Sequence, residues 1–126
     1  MTYATEGFEA HYGLVLSQVT PELVLGEVTI DDRLRDRTGA VHGGVFAAIA
    51  ESLATAGTRR GVSAGCRAMP LSNLTSHVQE VAAGTLHARA VRRHAGRTTW
   101  VWEIAIRDDA GGACAFARTT IAVGDA

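Results

Sequence analysis

The segment Gly39-Ala40-Val41-His42-Gly43-Gly44-Val45-Phe46-Ala47-Ala48-Ile49-Ala50-Glu51-Ser52 decides the fold prediction. From Val45 to about Thr58 the chain has few polar side chains and many good helix formers, which predicts a helix ending near Gly57 or Gly61. The run Val45–Ala50 is apolar all round, so we expect most sides of this helix to be buried. In a chain of 126 residues, that burial requires a sheet that curls around the helix.

Strand-like runs lie on both sides of the predicted helix. Two precede it, Tyr12–Val19 and Leu23–Ile30, and the charged stretch Asp31–Gly39 is predicted to be a loop. Four runs follow the helix and are separated by short turn-like segments: Ala68–Val81, Thr85–Arg93, Thr98–Arg107 and Cys114–Val123. The pattern predicts one α+β domain over residues 1–126, with a mostly antiparallel sheet.

Composition excludes several classes of function. All twelve basic residues are arginine, so chemistry that needs a lysine nucleophile is excluded. The net charge of -1 gives no general attraction to nucleic acid or to an anionic membrane, so we expect neither as a partner. No signal peptide is recognisable, and Cys66 and Cys114 lack metal-ligand spacing. We therefore expect a cytoplasmic protein with reduced thiols and no metal site.

Two features of the opening segment carry the candidate chemistry. His42-Gly43-Gly44 precedes the helix, where free backbone N–H groups at the positive end of the helix dipole can stabilise an oxyanion. The alternative is a flexible helix entry in which His42 only caps or packs. Glu51 stands in an apolar run, where an unpaired carboxylate costs free energy. The alternative for Glu51 is contact with water or a structural ion pair with one of three arginines, Arg59, Arg60 or Arg67.

The spacing of these two features constrains the assembly. Gly43 and Glu51 are eight residues apart, which is about 12 Å along a helix axis at a rise of about 1.5 Å per residue. Both groups of one chain therefore cannot contact the same carbonyl. If they serve one site, two copies of the helix must run antiparallel, with Gly43 of one chain facing Glu51 of the other.

Residues Gly39–Ser52, with Gly96-Arg97-Thr98-Thr99 and the alternating run Trp100–Ile106, resemble the hotdog-fold thioesterases. The branch that they resemble contains the Arthrobacter-type 4-hydroxybenzoyl-CoA thioesterase and the phenylacetic-acid-degradation thioesterases. The resemblance covers residues 12–123 and implies a curved antiparallel sheet around one long central helix. It implies hydrolysis of acyl-CoA thioesters with aryl or arylacetyl groups by a homotetramer of two dimers. No cofactor is implied, because CoA enters as part of the substrate.

The resemblance also implies roles for individual residues. The Gly43 N–H would polarise the thioester carbonyl, and Glu51 would attack that carbonyl or activate water. Thr55 would position the carboxylate or the water, and His42 would orient the loop. The substrate contacts implied or suggested by position are Gly44, Asp36, Arg97, Thr98 and Thr99. Asp36 departs from the family pattern, because relatives often carry Asn or Gln there and a carboxylate cannot donate an amide hydrogen bond.

Other functions remain open from the sequence. A non-catalytic acyl-CoA sensor or carrier on the same fold is the main alternative, and the acid at position 51 argues against it. A hotdog dehydratase is disfavoured by the spacing of nine between His42 and Glu51. The arginines around one predicted turn (Arg92, Arg93 and Arg97) form either a solvated hairpin tip or a site for the phosphates of CoA.

Overall fold

Six antiparallel strands form one sheet behind a single long helix in the computed structural model, which describes residues 2–125. The spatial order of the strands is β1-β2-β4-β5-β6-β3. The strands are β1 (Leu14–Val19), β2 (Leu23–Thr29), β3 (Cys66–His77), β4 (Thr85–Ala95), β5 (Thr99–Arg107) and β6 (Ala113–Asp125). The helices are α1 (Gly7–His11), α2 (Gly43–Gly61) and a short 3₁₀ turn (Asp32–Leu34). The expected α+β arrangement of two strands, a helix and four strands is confirmed.

Helix α2 packs on the sheet through one face. The buried members of this face are Phe46, Ile49, Ala50, Leu53, Ala54, Gly57 and Thr58. Trp102 from β5 is fully buried against it, and its indole N–H donates to the Thr58 hydroxyl at 2.9 Å. A Cβ at Gly57 would lie 2.4 Å from Cη2 of Trp102, so only glycine allows this close approach of helix and sheet. The alternating run Trp100–Ile106 places Trp100, Trp102, Ile104 and Ile106 on one face of β5, and all four are buried in the core.

The opposite face of α2 is open in the single chain. Gly44, Glu51 and Arg59 are exposed, and Ser52 and Thr55 are half-buried. The expectation that most sides of the helix would be buried is therefore wrong for one chain. The sheet curves over only one side of α2, and the side chains on the other side are small or polar enough to remain in water.

The boundaries of three predicted elements need correction. Helix α2 begins at Gly43, not Val45, because His42 caps it. Tyr12 does not belong to β1, because it ends α1 and hydrogen-bonds to Ser52. The predicted strand Ala68–Val81 is β3 (Cys66–His77), since both N–H groups after it turn to the Cys114 carbonyl. The remaining strand ends differ from the prediction by one or two residues.

The two edges of the sheet differ. β1 forms one edge, and Tyr3 covers part of it by a two-way backbone pairing with Leu16. β3 forms the other edge and carries exposed apolar side chains at Met69, Leu71 and Leu74. The pairing of β3 with β6 shifts register between Pro70 and Ser72, so Leu71 is an extra residue.

The long helix of this fold is not a candidate membrane span. Among residues 2–125, no helix has the length and apolar character needed to cross a bilayer.

Candidate active site

The N-terminus of α2 presents a free backbone donor. His42 is the N-cap, and its Nδ1 accepts a hydrogen bond of 2.8 Å from the Gly44 N–H. The Val45 N–H donates to the His42 carbonyl at 2.9 Å. Within residues 2–125, the Gly43 N–H has no acceptor. This donor lies at the positive end of the helix dipole, where it can bind a carbonyl oxygen that gains negative charge.

His77 packs against the Cα of Gly43 and was not identified as a site residue from the sequence. A Cβ added to Gly43 would lie 2.3 Å from Cε1 of His77, so the imidazole covers the glycine. The ring centroids of His77 and Phe46 are 5.4 Å apart. Alternation along β3 places His77 on the same face as Asn73, whose amide donates to the Ala47 carbonyl at 2.9 Å. That alternation was the available signal, but it required knowing which face of β3 meets the helix.

Asp36 lies in the same cleft as Gly43 and His77, which has a volume of about 360 Å³. Its carboxylate accepts hydrogen bonds from the Thr38 N–H at 2.8 Å and the Thr38 hydroxyl at 2.6 Å. These hydrogen bonds lower the pKa of Asp36 below its ordinary value. The side chain is therefore an ionised acceptor at neutral pH and cannot supply an amide donor.

Glu51 lies in a second cleft, of about 350 Å³, on the open face of α2. The polar and charged residues around it are Thr5, Glu6, Glu9, Ser52, Thr55 and Arg59. The expectation of an apolar surrounding is thus wrong in part: Leu14, Leu16, Ala56 and Pro70 form an apolar wall of the cleft, but Glu51 is exposed to solvent and has polar neighbours, because the apolar face of the helix turns toward the sheet. No ion pair joins Glu51 to an arginine among the residues that the structure describes.

Thr55 supplies an unsatisfied hydroxyl beside this carboxylate. It follows Glu51 by one helical turn and lines the same cleft. Its Oγ1 is buried and has no hydrogen-bond partner within residues 2–125. A buried polar atom without a partner costs free energy, so Thr55 is suited to hold a water or a substrate atom.

Helix α1 closes one wall of the Glu51 cleft. The Tyr12 hydroxyl donates to Oγ of Ser52 at 2.8 Å, and Ser52 donates to Oε2 of Glu9 at 3.1 Å. Burial raises the pKa of Tyr12 well above its ordinary value, so this hydroxyl stays protonated and continues to donate. The chain of hydrogen bonds fixes α1 against α2 next to Glu51.

The two clefts are separate on one chain. On α2, one cleft is lined by Gly43 and Phe46 and the other begins at Glu51. Gly43 and Glu51 are eight residues apart, which corresponds to about 12 Å along the axis. The structure thus brings His77 and Asp36 together with Gly43, and Thr55 together with Glu51. It does not bring the glycine and the glutamate of one chain to a common cleft.

The other predicted substrate contacts lie elsewhere. Arg97 and Thr98 are in the β4–β5 hairpin and Thr99 begins β5, so none of them lines either cleft. The neighbouring arginines are engaged in local contacts, since Arg93 donates to Glu103 at 2.6 Å. Arg92 stacks 4.9 Å from the ring centroid of Trp100. A joint phosphate site of these arginines is therefore not favoured by their contacts.

No metal centre is formed by the described side chains. Within residues 2–125, no group of three or more His, Cys, Asp or Glu residues is arranged to hold a metal ion. Both cysteines are free thiols.

Comparisons with known proteins agree on one family. The thioesterase superfamily model matches residues 38–115, which include Gly43, His77 and Glu51. The proofreading thioesterase EntH of Klebsiella pneumoniae is 31% identical over 115 residues, which cover 90% of this chain and 83% of that protein.

Solved structures of thioesterases share the fold. A thioesterase from Haemophilus influenzae superposes with a TM-score of 0.88 at 27% identity, covering 93% of this chain and 82% of that one. A mutant thioesterase from Pseudomonas aeruginosa gives a TM-score of 0.91 at 27% identity, covering 95% of this chain and 87% of that one. The fold is the expected hotdog fold. The chain belongs to the thioesterase superfamily and is a thioester hydrolase.

Proposed function

We propose that the chain hydrolyses acyl-CoA thioesters, with aryl or arylacetyl acyl groups, in active sites formed between two copies. The observation that carries this proposal is the separation of the two clefts on one α2 helix. A free N–H donor lies at Gly43 and an exposed carboxylate at Glu51, about 12 Å away along the axis. In an antiparallel pair of α2 helices, Gly43 of each chain faces Glu51 of the other, so the pair forms two complete sites.

The surfaces that such a pairing needs are free in the single chain. The open face of α2 carries small residues, among them Gly44, Ala47 and Ala48, which allow close approach of a second helix. The edge strand β3 runs beside this face, and its outer backbone groups have no strand partner within residues 2–125. Pairing of two β3 edges would extend the sheet and cover the apolar side chains Met69, Leu71 and Leu74.

The chemistry follows from the groups brought together. The Gly43 N–H of one chain donates to the thioester oxygen and stabilises the negative charge that develops there. Glu51 of the other chain attacks the carbonyl carbon, or removes a proton from the water that attacks it. The carbon–sulfur bond then breaks, and the CoA thiolate leaves and takes up a proton. When water is the attacking group, this step gives the free acid directly. When Glu51 is the attacking group, water next hydrolyses the mixed anhydride between Glu51 and the acyl group, which releases the free acid and restores the carboxylate. Thr55 holds the attacking water or the carboxylate through its free hydroxyl.

The walls of the clefts support the proposal of an aryl or arylacetyl group. Leu14, Leu16 and Pro70 give the Glu51 cleft an apolar side, and Phe46 with His77 gives the Gly43 cleft an aromatic side. Flat apolar groups pack well on such surfaces. A panel of benzoyl, phenylacetyl, hexanoyl and acetyl thioesters of CoA, ranked by kcat/KM, tests the assignment. A preference for acetyl-CoA over both aromatic substrates would overturn it.

Replacement of the carboxylate tests the catalytic role of Glu51. The Glu51→Gln variant keeps the shape of the side chain but loses the base and nucleophile, so kcat for benzoyl-CoA should fall at least ~100-fold with little change in KM. Release of CoA can be followed with a thiol reagent. Glu22→Gln, on an exposed turn, is the matched control. Near-normal turnover by a folded Glu51→Gln protein would refute the assignment.

Mixed assemblies test the sharing of the site. Gly43→Pro removes the N–H donor at the first helical position, where the backbone tolerates proline and the extended backbone of His42 suits a following proline. Its Cβ also displaces the exposed His77 ring, so the variant impairs the Gly43 half of the site in two ways. Separately, Gly43→Pro and Glu51→Gln proteins should both be inactive. Refolded together in equal amounts, they should recover about a quarter of wild-type activity, because half of the dimers contain one intact site. No recovery, with mixed dimers present, would show that each chain acts alone.

A further inference from the structure

A third cleft adjoins the Glu51 cleft at the C-terminal end of α2. It has a volume of about 420 Å³ and is lined by Arg59, Val62, Ser63, Ala64, Cys66, Arg67 and Ala68. Arg59 also lines the Glu51 cleft, so the two clefts share a wall. The Glu51 carboxylate and the two arginines, Arg59 and Arg67, therefore line neighbouring clefts.

These two arginines are not engaged with carboxylates. Arg59 and Arg67 are exposed, and within residues 2–125 no carboxylate oxygen lies within 4.0 Å of either guanidinium. Asp125, which is opposite Cys66 in the β3–β6 register, forms no ion pair with them. Guanidinium groups without a carboxylate partner can bind phosphate in a two-pronged geometry, which the ammonium of lysine does not offer.

A purely structural role explains only part of this arrangement. Arginines in the last turn of a helix offset the negative end of its dipole, and this applies to Arg59 and Arg60. Arg60 turns away, with its guanidinium 6.0 Å from the ring centroid of Tyr3. Arg67 belongs to β3 and not to the helix, so the dipole does not account for its position beside Arg59.

The distance between Glu51 and Arg59 suits the leaving group of a CoA thioester. The two residues are eight positions apart, or about 12 Å along the helix axis. From the thioester sulfur to the first phosphorus, the pantetheine arm has thirteen bonds, which span about 15 Å when extended at about 3.5 Å for every three bonds. An arm that runs along α2 from Glu51 therefore brings its phosphate to the two arginines.

Charge sets the direction of that arm. Glu6 and Glu9 lie on the α1 side of the Glu51 cleft and repel phosphate, whereas Arg59 and Arg67 attract it from the opposite end. The β4–β5 hairpin lies at the same end of the molecule as Arg67. The Thr98 carbonyl accepts from the Val123 N–H at 2.8 Å, and Val123 pairs with Ala68 next to Arg67.

We propose that Arg59 and Arg67 form the binding site for the phosphorylated end of pantetheine in the thioester substrate. This inference rests on the proposed thioesterase site at Glu51 and adds the element that recognises the leaving group. The same phosphate chemistry occurs in CoA and in phosphopantetheine attached to a carrier protein. The site explains how a chain with net charge -1 attracts a polyanionic substrate: a local pair of arginines does so.

The test compares two substrates that differ only beyond the pantetheine arm. Steady-state kinetics are measured with benzoyl-CoA and with benzoyl-pantetheine, which has no phosphate, for wild type and for the Arg59→Gln/Arg67→Gln variant. We expect the variant to lose at least 10-fold more kcat/KM on benzoyl-CoA than on benzoyl-pantetheine, mainly through KM. Added salt should raise the wild-type KM for benzoyl-CoA and should affect the variant much less. Arg89→Gln/Arg118→Gln, two exposed arginines on the outer face of the sheet, is the matched control.

The outcomes separate this proposal from the proposed function. Equal losses on the two substrates would overturn the phosphate site and leave the thioesterase intact. Absence of turnover of both substrates by wild type would instead refute the proposed function. A third substrate, a benzoyl-loaded phosphopantetheinyl carrier protein, identifies the source of the phosphate. A selective loss on benzoyl-CoA alone supports CoA as the ligand, and a parallel loss on the carrier protein supports the phosphate that both share.

Discussion

The contact between Gly43 and His77 makes a single methyl group an informative perturbation. In Gly43→Ala the new Cβ would lie 2.3 Å from Cε1 of His77 and 3.1 Å from each ring nitrogen. Carbon atoms in ordinary contact are about 3.5–4.0 Å apart, so the ring must move by more than about 1 Å. The N–H of residue 43 is kept, and the change therefore displaces the imidazole without removing the donor.

The fold should tolerate this substitution. Gly43 has no left-handed backbone conformation, and alanine is favoured over glycine in helices by up to about 1 kcal/mol. His77 is exposed at the end of β3, so its ring has room to swing away. We expect the midpoint of thermal unfolding to stay the same or rise slightly, as in Gly65→Ala, where the added Cβ contacts nothing within 4 Å.

Activity should respond much more strongly than stability. A displacement of about 1 Å in an active site can cost on the order of 100-fold in rate. We expect kcat/KM for benzoyl-CoA to fall about 10-fold to 100-fold in Gly43→Ala, which is about 1.4–2.7 kcal/mol of lost transition-state stabilisation. The assay is thiol release under conditions where substrate is far below KM.

A double-mutant cycle with His77→Ala decides whether the loss of kcat/KM in Gly43→Ala is caused by displacement of the His77 imidazole. If it does, Gly43→Ala should cost little further activity once the imidazole is gone. If Gly43→Ala lowers kcat/KM by the same factor in both backgrounds, the contact with His77 is irrelevant to catalysis. That result would refute the reasoning, and so would full activity of Gly43→Ala.

Two further predictions concern the scaffold. Thr58→Val leaves the buried Trp102 indole N–H without its acceptor, which should cost about 1–3 kcal/mol and lower the unfolding midpoint by roughly 5 °C or more. The exposed Thr29→Val is its control, and equal midpoints would contradict the prediction. The hydrogen bond with Asp109 raises the pKa of His87, so this contact stabilises the fold fully below about pH 6.5 and is lost as the pH rises through the raised value. The midpoint difference between wild type and His87→Gln, measured by calorimetry, should therefore be larger at pH 6 than at pH 9, and a constant difference would count against it.

The sequence predicted which segments form helices and strands better than it predicted the tertiary contacts and exposure of their side chains. Alternating burial along β2 and β5 follows from the period of two and matches the observed core, including Val24, Val28 and Trp102. The start of α2 was placed late because Gly43 and Gly44 are poor helix formers, and histidine is not among the usual N-caps.

Helix α1 and the end of β3 depend on tertiary contacts. The five residues of α1 have no periodic pattern, and this helix is held through the hydrogen bonds of Tyr12 and Glu9 with Ser52. After His77 the regular ladder ends because two successive N–H groups share the Cys114 carbonyl, and the chain then runs to Val81, whose carbonyl accepts from the Val41 N–H ahead of α2. These hydrogen-bond partners are distant in sequence, so no local sequence pattern predicts them.

The candidate site was predicted in part for the same reason. The distance between Gly43 and Glu51 could be predicted because it follows from their spacing on one helix, whereas Thr55 was implied by the family resemblance, and the catalytic roles of all three stay predictions. The exposure of Glu51 depends on which side of α2 the sheet covers, and an all-apolar run cannot reveal it. His77 and Arg67 reach their clefts only through the packing of β3 against α2.

The unequal edges of the sheet bear on solubility as well as on catalysis. Tyr3 pairs with Leu16 on the outer edge of β1, so fewer backbone N–H and C=O groups there are free to pair with a strand of another chain. On β3, Pro70 offers no N–H and the extra residue Leu71 breaks the regular ladder. When the β3 strand of a second copy pairs with this edge, both β3 edges are used, and no free edge remains on this side of the sheet for further chains to add to. If two β3 edges pair as proposed, each covers the other, and we expect a closed assembly in which the exposed apolar side chains of β3 do not promote aggregation.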